Sequence, residues 1–195
     1  MADAPVLVFI RHGETDWNVE ARLQGQQDIP LNERGRGQAR RNGEALLDNL
    51  PAIVGFEFVA SPLMRARETM EILRGAMGLD PAGYRVEPEL LEITFGAWEG
   101  FTLAELSAAG GDAVARRAAD KWGFVPPGGE SYAMLATRID RWLSGVSRDT
   151  VAVSHGAVGR VVEGRLRKVD PREVPTLDAP QDRVLLYRAG RTEWL

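Results

Sequence analysis

The sequence predicts an α/β fold with a largely parallel sheet, and three observations carry that reading. Short apolar, β-branched runs alternate with longer segments of helical character along the 195 residues. Two of those runs, Val6-Leu7-Val8-Phe9-Ile10 and Val151-Ala152-Val153, stop at polar residues and a glycine, as buried strands do at tight turns. The only two histidines, His12 and His155, stand at those two ends, each just before a glycine. Strand ends far apart in sequence can meet at one edge of a sheet, and the carboxyl edge of an open α/β sheet is where ligands bind.

Taken in order, residues 5–10 form the first buried strand. Arg11 to Pro30 is polar, irregular and too long for a simple connection, which makes it a candidate functional loop. Asn32 is placed to cap a helix running to about Leu50. Phe56–Ala60 forms a second strand. Ser61 is placed to cap the next helix, with Pro62 at its first position, where a missing N–H costs nothing; that helix runs to about Met77. A short strand near Tyr84–Pro88 leads to a loop carrying Glu92 and Gly96. Thr102 caps a short helix to Ala108, and Gly110-Gly111 separates it from a helical piece ending near Trp122. Pro126-Pro127-Gly128-Gly129 breaks the chain before a helix over Glu130–Val146. Strand 150–153 leads to His155, then a helix runs from Gly156 to about Arg167. Residues 168–181 hold three prolines and read as a surface loop. Arg183–Arg188 and Thr192–Leu195 close the chain as two strands around Ala189-Gly190. With no internal repeat, the length fits one domain over residues 1–195.

Composition removes several function classes. The net charge of −4 gives no global field toward nucleic acid, and clusters such as Arg34-Arg36 and Arg40-Arg41 read as solvated helix faces. Absence of cysteine excludes disulfides, thiolate catalysis and cysteine-ligated zinc. No apolar stretch approaches the roughly 20 residues needed to cross a bilayer, and Met1-Ala2-Asp3-Ala4-Pro5 lacks the start of a signal peptide. A cytoplasmic protein without membrane or nucleic-acid partners is the expectation; oligomeric state stays open. Met134 reads as packing, Arg138 and Arg141 as solvated, and Glu130 as first-turn charge on its helix.

Three segments carry chemistry. In Arg11-His12-Gly13-Glu14-Thr15-Asp16-Trp17-Asn18, a neutral imidazole could attack phosphorus and hold the phosphoryl group covalently. It would need a fixed tautomer, and cations to screen the phosphate oxygens. Gly13 would let the backbone approach a ligand. The plainer alternative is a histidine ending a strand beside a surface arginine. In Ser61-Pro62-Leu63-Met64-Arg65, Arg65 falls near a helix N-terminus, where anions are favoured, although, taken alone, an ordinary exposed helix arginine is the plainer reading. In Leu90 to Gly100, a carboxylic acid could protonate a departing alkoxide and then deprotonate water. The apolar flanks Leu91, Ile93 and Phe95 could tune Glu92 for that task; Glu99 competes with it.

Together these residues resemble a family. Arg-His-Gly-Glu-Thr with Asn18, Ser-x-Leu-x-Arg-Ala-x-x-Thr at 61–69 and Ser-His-Gly at 154–156 are similar to the histidine phosphatase superfamily, the phosphoglycerate-mutase-like group, from about Val6 to Arg167. The resemblance implies a three-layer α/β/α sandwich with a mostly parallel central sheet. It implies His12 as the nucleophile that becomes phosphohistidine, with Arg11, Arg65 and His155 completing the phosphate-binding quartet. Glu92 then takes the proton-donor place over Glu99. Asn18 and Gly156 match secondary phosphate contacts, and Arg22, Gln24 and Gly25 correspond more loosely to loop positions near the substrate. No metal and no cofactor are implied.

Cofactor-dependent phosphoglycerate mutases usually carry Glu-Arg-His-Tyr-Gly at the acid, whereas this chain has Glu92-Ile93-Thr94-Phe95-Gly96. Three polar groups that hold phosphoglycerate are thereby lost. The chain resembles the smaller phosphatase branch, which includes broad-specificity and alpha-ribazole phosphatases. A small phosphorylated metabolite is the expected substrate, with a mutase or a non-catalytic phosphate-binding module as the alternatives.

Overall fold

The computed structural model describes residues 4–195; Met1-Ala2-Asp3, on which the signal-peptide reading partly rests, lie outside the described residues. Six strands form one sheet: β1 (Leu7–Arg11), β2 (Glu57–Ala60), β3 (Arg85–Val86), β4 (Thr150–Ser154), β5 (Leu185–Arg188) and β6 (Arg191–Trp194). Their order is β3-β2-β4-β1-β5-β6. The first four run parallel, and β5 and β6 add on antiparallel. The helices are α1 (Asp16–Val19), α2 (Glu33–Asn49), α3 (Met64–Ala76), α4 (Leu103–Ala108), α5 (Ala113–Ala119), α6 (Tyr132–Gly145) and α7 (Gly156–Arg167).

Near-continuous apolar strands bury both faces, and period-two alternation sorts their side chains into two cores. Leu7, Phe9, Val59 and Ala152 face Leu135 and Ile139 of α6 and Val158 and Val162 of α7. Val8, Ile10, Phe58, Val151 and Val153 face Leu46 of α2 and Met70 and Leu73 of α3. Helices thus cover both faces, giving the expected three layers. Each fully buried Leu, Ile or Val contributes roughly 1.5–3 kcal/mol.

Register brings the two histidines together. Leu7 pairs with Thr150 and Arg11 with Ser154, and the His12 N–H donates to the Ser154 carbonyl at 2.8 Å. His12 and His155 therefore leave neighbouring strands at the same level. Ser61 follows β2 on the other side of β4, its N–H donating to the Val153 carbonyl at 3.0 Å.

Several local expectations hold. Asn32 caps α2 by accepting from the Gly35 N–H at 2.9 Å, Thr102 forms a capping box with Glu105, and α7 begins at Gly156. Others are corrected. Ser61 caps nothing: α3 starts at Met64, whose N–H donates instead to Asp28 Oδ1 at 2.6 Å. The polar loop from Arg11 to Pro30 contains the single turn α1. The strand near Tyr84–Pro88 contracts to two residues because Pro88 opens a 3-10 turn, Pro88–Leu90. The piece expected to end near Trp122 ends at Ala119. Ser131 caps α6, which leaves Glu130 ahead of the helix, paired with Arg138 at 3.0 Å. Arg138 is accordingly half-buried and tied to the carbonyls of Glu89 and Leu91, not solvated. Met134 is 51% exposed and is no packing residue. Residues 168–181 are no surface loop throughout, because Val174 and Pro175 are buried in a 3-10 turn, Val174–Thr176. Among the described residues no helix is long and apolar enough to cross a membrane.

Candidate active site

The two imidazoles lie at the carboxyl edge of β1 and β4 with ring centroids 5.2 Å apart and planes tilted by 60°. Both are buried, and their hydrogen bonds fit the same tautomer, with the proton on Nδ1. Nδ1 of His12 lies 2.7 Å from the Gly13 carbonyl, so the proton sits on Nδ1 and the lone pair on Nε2. Nε2 of His155 lies 2.6 Å from Ser61 Oγ. With the serine hydroxyl donating there, the His155 proton is on Nδ1, a buried atom without a protein partner. One histidine thus presents a lone pair and the other an N–H donor.

Burial, reinforced by neighbouring guanidinium charge, keeps both rings neutral. Burial first, then Arg65 and Arg11, hold His12 well below the usual histidine range. Burial and Arg65 lead the same depression at His155. Arg65 is itself buried at the start of α3, and its Nε donates to His12 Nε2 at 3.2 Å. Its two terminal nitrogens are braced by the carbonyls of Gln27 and Gly25, each at 2.7 Å. Arg11 has an unpartnered buried Nε, while its Nη1 donates to the Ala179 carbonyl at 2.6 Å. Burial, followed by repulsion from Arg160, pushes its pKa down to about 10. Glu92 enters from the loop after β3. Its carboxylate accepts from the Ile93 N–H at 2.9 Å and from the Ala157 N–H, in the first turn of α7, at 3.2 Å. The apolar flanks do not enclose it, since Ile93 turns into the core and Phe95 packs against that core.

The structure therefore brings together His12, His155, Arg11, Arg65 and Glu92, with Gly156 at the base. A Cβ on Gly156 would stand 3.4 Å from the Arg11 Nε. Asn18 is tied to its neighbours: its Oδ1 accepts from Thr15 N–H at 3.1 Å and from Gln181 Nε2 at 3.0 Å. Gln24 is buried with an unpartnered Oε1, and Gly25 serves by lending its carbonyl to Arg65. Arg22 is not brought in. Glu20, Glu105 and the Gly100 carbonyl occupy its guanidinium at 2.6, 2.9 and 2.8 Å, where it braces the α4 segment.

The roles of three participants escaped sequence reading. Ser61 orients His155. Glu99, the competing acid, is a scaffold: it accepts from Gln26 N–H at 3.0 Å, Thr94 Oγ1 at 2.8 Å and Phe95 N–H at 3.1 Å. It thereby holds the loop that braces Arg65. Gln181 donates to the His12 carbonyl at 3.1 Å, making the last stretch before β5 a wall of the site. Gly13 has a reason other than ligand approach, because a Cβ there would collide with the Gly35 carbonyl of α2. Among the described residues no three His, Cys, Asp or Glu side chains converge as a metal site.

A neutral Nε2 flanked by guanidinium groups and an N–H donor suits attack on a phosphoryl group. Comparison with known proteins agrees: residues 7–194 match the model of the histidine phosphatase superfamily (branch 1). The chain belongs to that superfamily. Within it, glucosyl-3-phosphoglycerate phosphatase of Mycobacterium tuberculosis is 34% identical over 185 residues, covering 88% of this chain and 79% of the relative. The 2,3-bisphosphoglycerate-dependent phosphoglycerate mutase 2 of Gloeobacter violaceus is 30% identical over 180 residues, covering 89% and 80%. The solved alpha-ribazole phosphatase of Shigella flexneri superposes with a TM-score of 0.82 at 25% identity, over 96% of this chain and 93% of that one.

Proposed function

We propose that this single-domain histidine phosphatase hydrolyses small phosphomonoesters through a phosphohistidine on His12, without metal or cofactor. The observation that carries the reading is the His12 Nε2 lone pair, held neutral 3.2 Å from the Arg65 Nε, beside the free Nδ1 of His155. In the first step the Nε2 lone pair forms the N–P bond as the ester P–O bond breaks. Glu92 gives its proton to the departing oxygen. Arg11, Arg65 and His155 donate to the three transferring oxygens, where charge is held in the transition state. In the second step water attacks phosphorus, its proton passes to Glu92, and the N–P bond breaks to release inorganic phosphate. Asn18 and the α7 N-terminus at Gly156 support the same oxygens. The small metabolite substrate leaves no role for nucleic acid or membrane partners, in keeping with a cytoplasmic enzyme.

The site chemistry is shared with mutases, and what separates them is retention of the dephosphorylated product. Glu92-Ile93-Thr94-Phe95-Gly96 lacks the polar groups of the mutase pattern, and Ile93 is packed into the core, which favours hydrolysis. The test is phosphate release from p-nitrophenyl phosphate by wild type and His12→Ala. Loss of at least about 10³-fold is expected, the scale of removing a nucleophile. Equal rates contradict the reading, and formation of 2-phosphoglycerate from its 3-isomer faster than free phosphate favours the mutase.

A further inference from the structure

Glu92 stands on a stretch that no regular structure holds. Between the 3-10 turns Pro88–Leu90 and Gly96–Trp98, residues 91–95 belong to no helix or strand. No ladder of main-chain hydrogen bonds therefore fixes where the carboxylate falls, and the carbonyls of the stretch are held from outside. Nη1 of Arg138, from the middle of α6, donates to the carbonyls of both Glu89 and Leu91, the latter at 2.8 Å. Ser154 Oγ, at the end of β4, donates to the Leu90 carbonyl between them at 2.7 Å. On the far side of Glu92, the Glu130 N–H donates to the Thr94 carbonyl at 2.9 Å. A Cβ on Gly129 would stand 2.8 Å from that same carbonyl, so the approach to Glu130 is seated tightly on the loop. Arg138 Nη2 closes the circuit on Glu130 Oε2 at 3.0 Å. Glu92 thus follows a carbonyl held by Arg138 and precedes one held by Glu130, and those two residues hold each other.

Stability alone is a poor account of this pair. The side chains of Arg138 and Glu130 are only 16% and 14% exposed, and an ion pair so far withdrawn from water contributes little beyond apolar side chains of the same volume. What it contributes is geometry. The planar fork of arginine directs one nitrogen at two carbonyls and the other at a carboxylate, an arrangement that neither an apolar pair nor a lysine reproduces. The carboxyl group carried by this loop has an exacting task. Proton transfer needs the acid within about 2.6–3.2 Å of the departing oxygen, and a misplacement of about 1 Å costs on the order of 10²-fold. The N–H groups of Ile93 and Ala157 tether the head of the Glu92 side chain, and the Arg138–Glu130 clamp tethers its root.

We propose that Arg138 and Glu130 are positioning residues for the general acid: they fix the backbone from which Glu92 reaches the leaving oxygen. Loss of either impairs protonation of that oxygen more than attack by His12. This rests on the phosphatase reading, in which Glu92 is the proton donor.

The test reads leaving-group dependence, which a merely structural role would not move. The quantity is kcat/KM, which covers formation of the phosphohistidine. Dinitrophenyl phosphate releases a phenolate that departs without a proton, whereas the phenolate of phenyl phosphate departs far better with one. In Arg138→Met and in Glu130→Ala, kcat/KM for phenyl phosphate is expected to fall at least about tenfold further than for dinitrophenyl phosphate, part of the roughly 10²–10⁴-fold that a positioned acid supplies. Glu92→Gln is the reference and should separate the two substrates more widely still. Arg138→Lys keeps the charge without the fork; it should show a smaller separation, and it carries the comparison if Arg138→Met fails to fold. Equal falls on both substrates in the Arg138 and Glu130 variants, with Glu92→Gln separating them, overturn the positioning role and leave the phosphatase reading standing. No separation in Glu92→Gln removes the general-acid assignment, and the positioning role with it.

Discussion

Ser61 holds the hydrogen bond on which the use of His155 depends. Its hydroxyl, 2.6 Å from Nε2, holds the proton on Nδ1, the unpartnered ring atom, when it donates there. Ser61→Ala should free the ring to change tautomer and lower kcat by about 10–100-fold, the cost of losing an orienting partner of this kind. Nitrogen-15 NMR of His155 should show mixed tautomers, and Ser61→Thr should restore much of the rate. An unchanged tautomer and rate would mean Ser61 only packs. The sequence made the place of His12 at the end of a buried strand legible because its strand, glycine and arginine neighbours are contiguous. Ser61 was misread as a helix cap for the opposite reason. Its partner lies 94 residues away, and the true cap of α3, Asp28, is 36 residues upstream. Glu99 could not be told from Glu92 by local pattern either, since both sit among apolar neighbours. Only the fold shows one accepting from α7 and the other bracing a loop.

α2 illustrates the same divide among the elements. Its cap and length follow from Asn32 and the helical pattern, but its glycines answer to other elements. Gly35 abuts the Glu14 backbone, and a Cβ on Gly43 would stand 2.6 Å from the Leu73 carbonyl of α3. Gly43→Ala should therefore destabilise the protein by about 1–3 kcal/mol through forced separation of α2 and α3, with kcat little changed because Leu73 lies near the far end of α3 from Arg65. A urea midpoint equal to wild type would contradict the close approach. The segment after α7 is the element that sequence reading lost. Its three prolines signal a loop correctly, yet no periodicity of side chains reveals that its backbone carbonyls carry Lys121, Arg160 and Arg11. Carbonyl positions are set by the fold and leave no trace in residue type.

At the scale of the molecule, the parallel order β2-β4-β1 sets the site: three strands of one register deliver Ser61, His155 and His12 to one edge. α/β alternation made this fold class legible, while the sheet order required the contacts themselves. Burying two neutral histidines has a global consequence. Their folded pKa values lie well below normal, whereas the unfolded chain takes up protons as pH falls through about 6.5. The unfolded state then binds more protons, so stability is lost on acidification below about pH 6.5, by at most about 1.4 kcal/mol per pH unit for each histidine, and is independent of these groups above it. Urea midpoints measured from pH 8 to pH 5 should fall in that window, and fall less steeply in His155→Gln; a flat profile would show the rings to be accessible to protons. The claim to which fold, charge and tautomer all lead is that His12 carries the phosphoryl group. Rapid quench of wild type turning over a phosphomonoester, followed by peptide mass spectrometry under alkaline conditions, tests it most directly. One acid-labile phosphoryl group on the peptide containing His12, absent in His12→Ala, is the expected result; phosphate release without any phosphorylated His12 would contradict it.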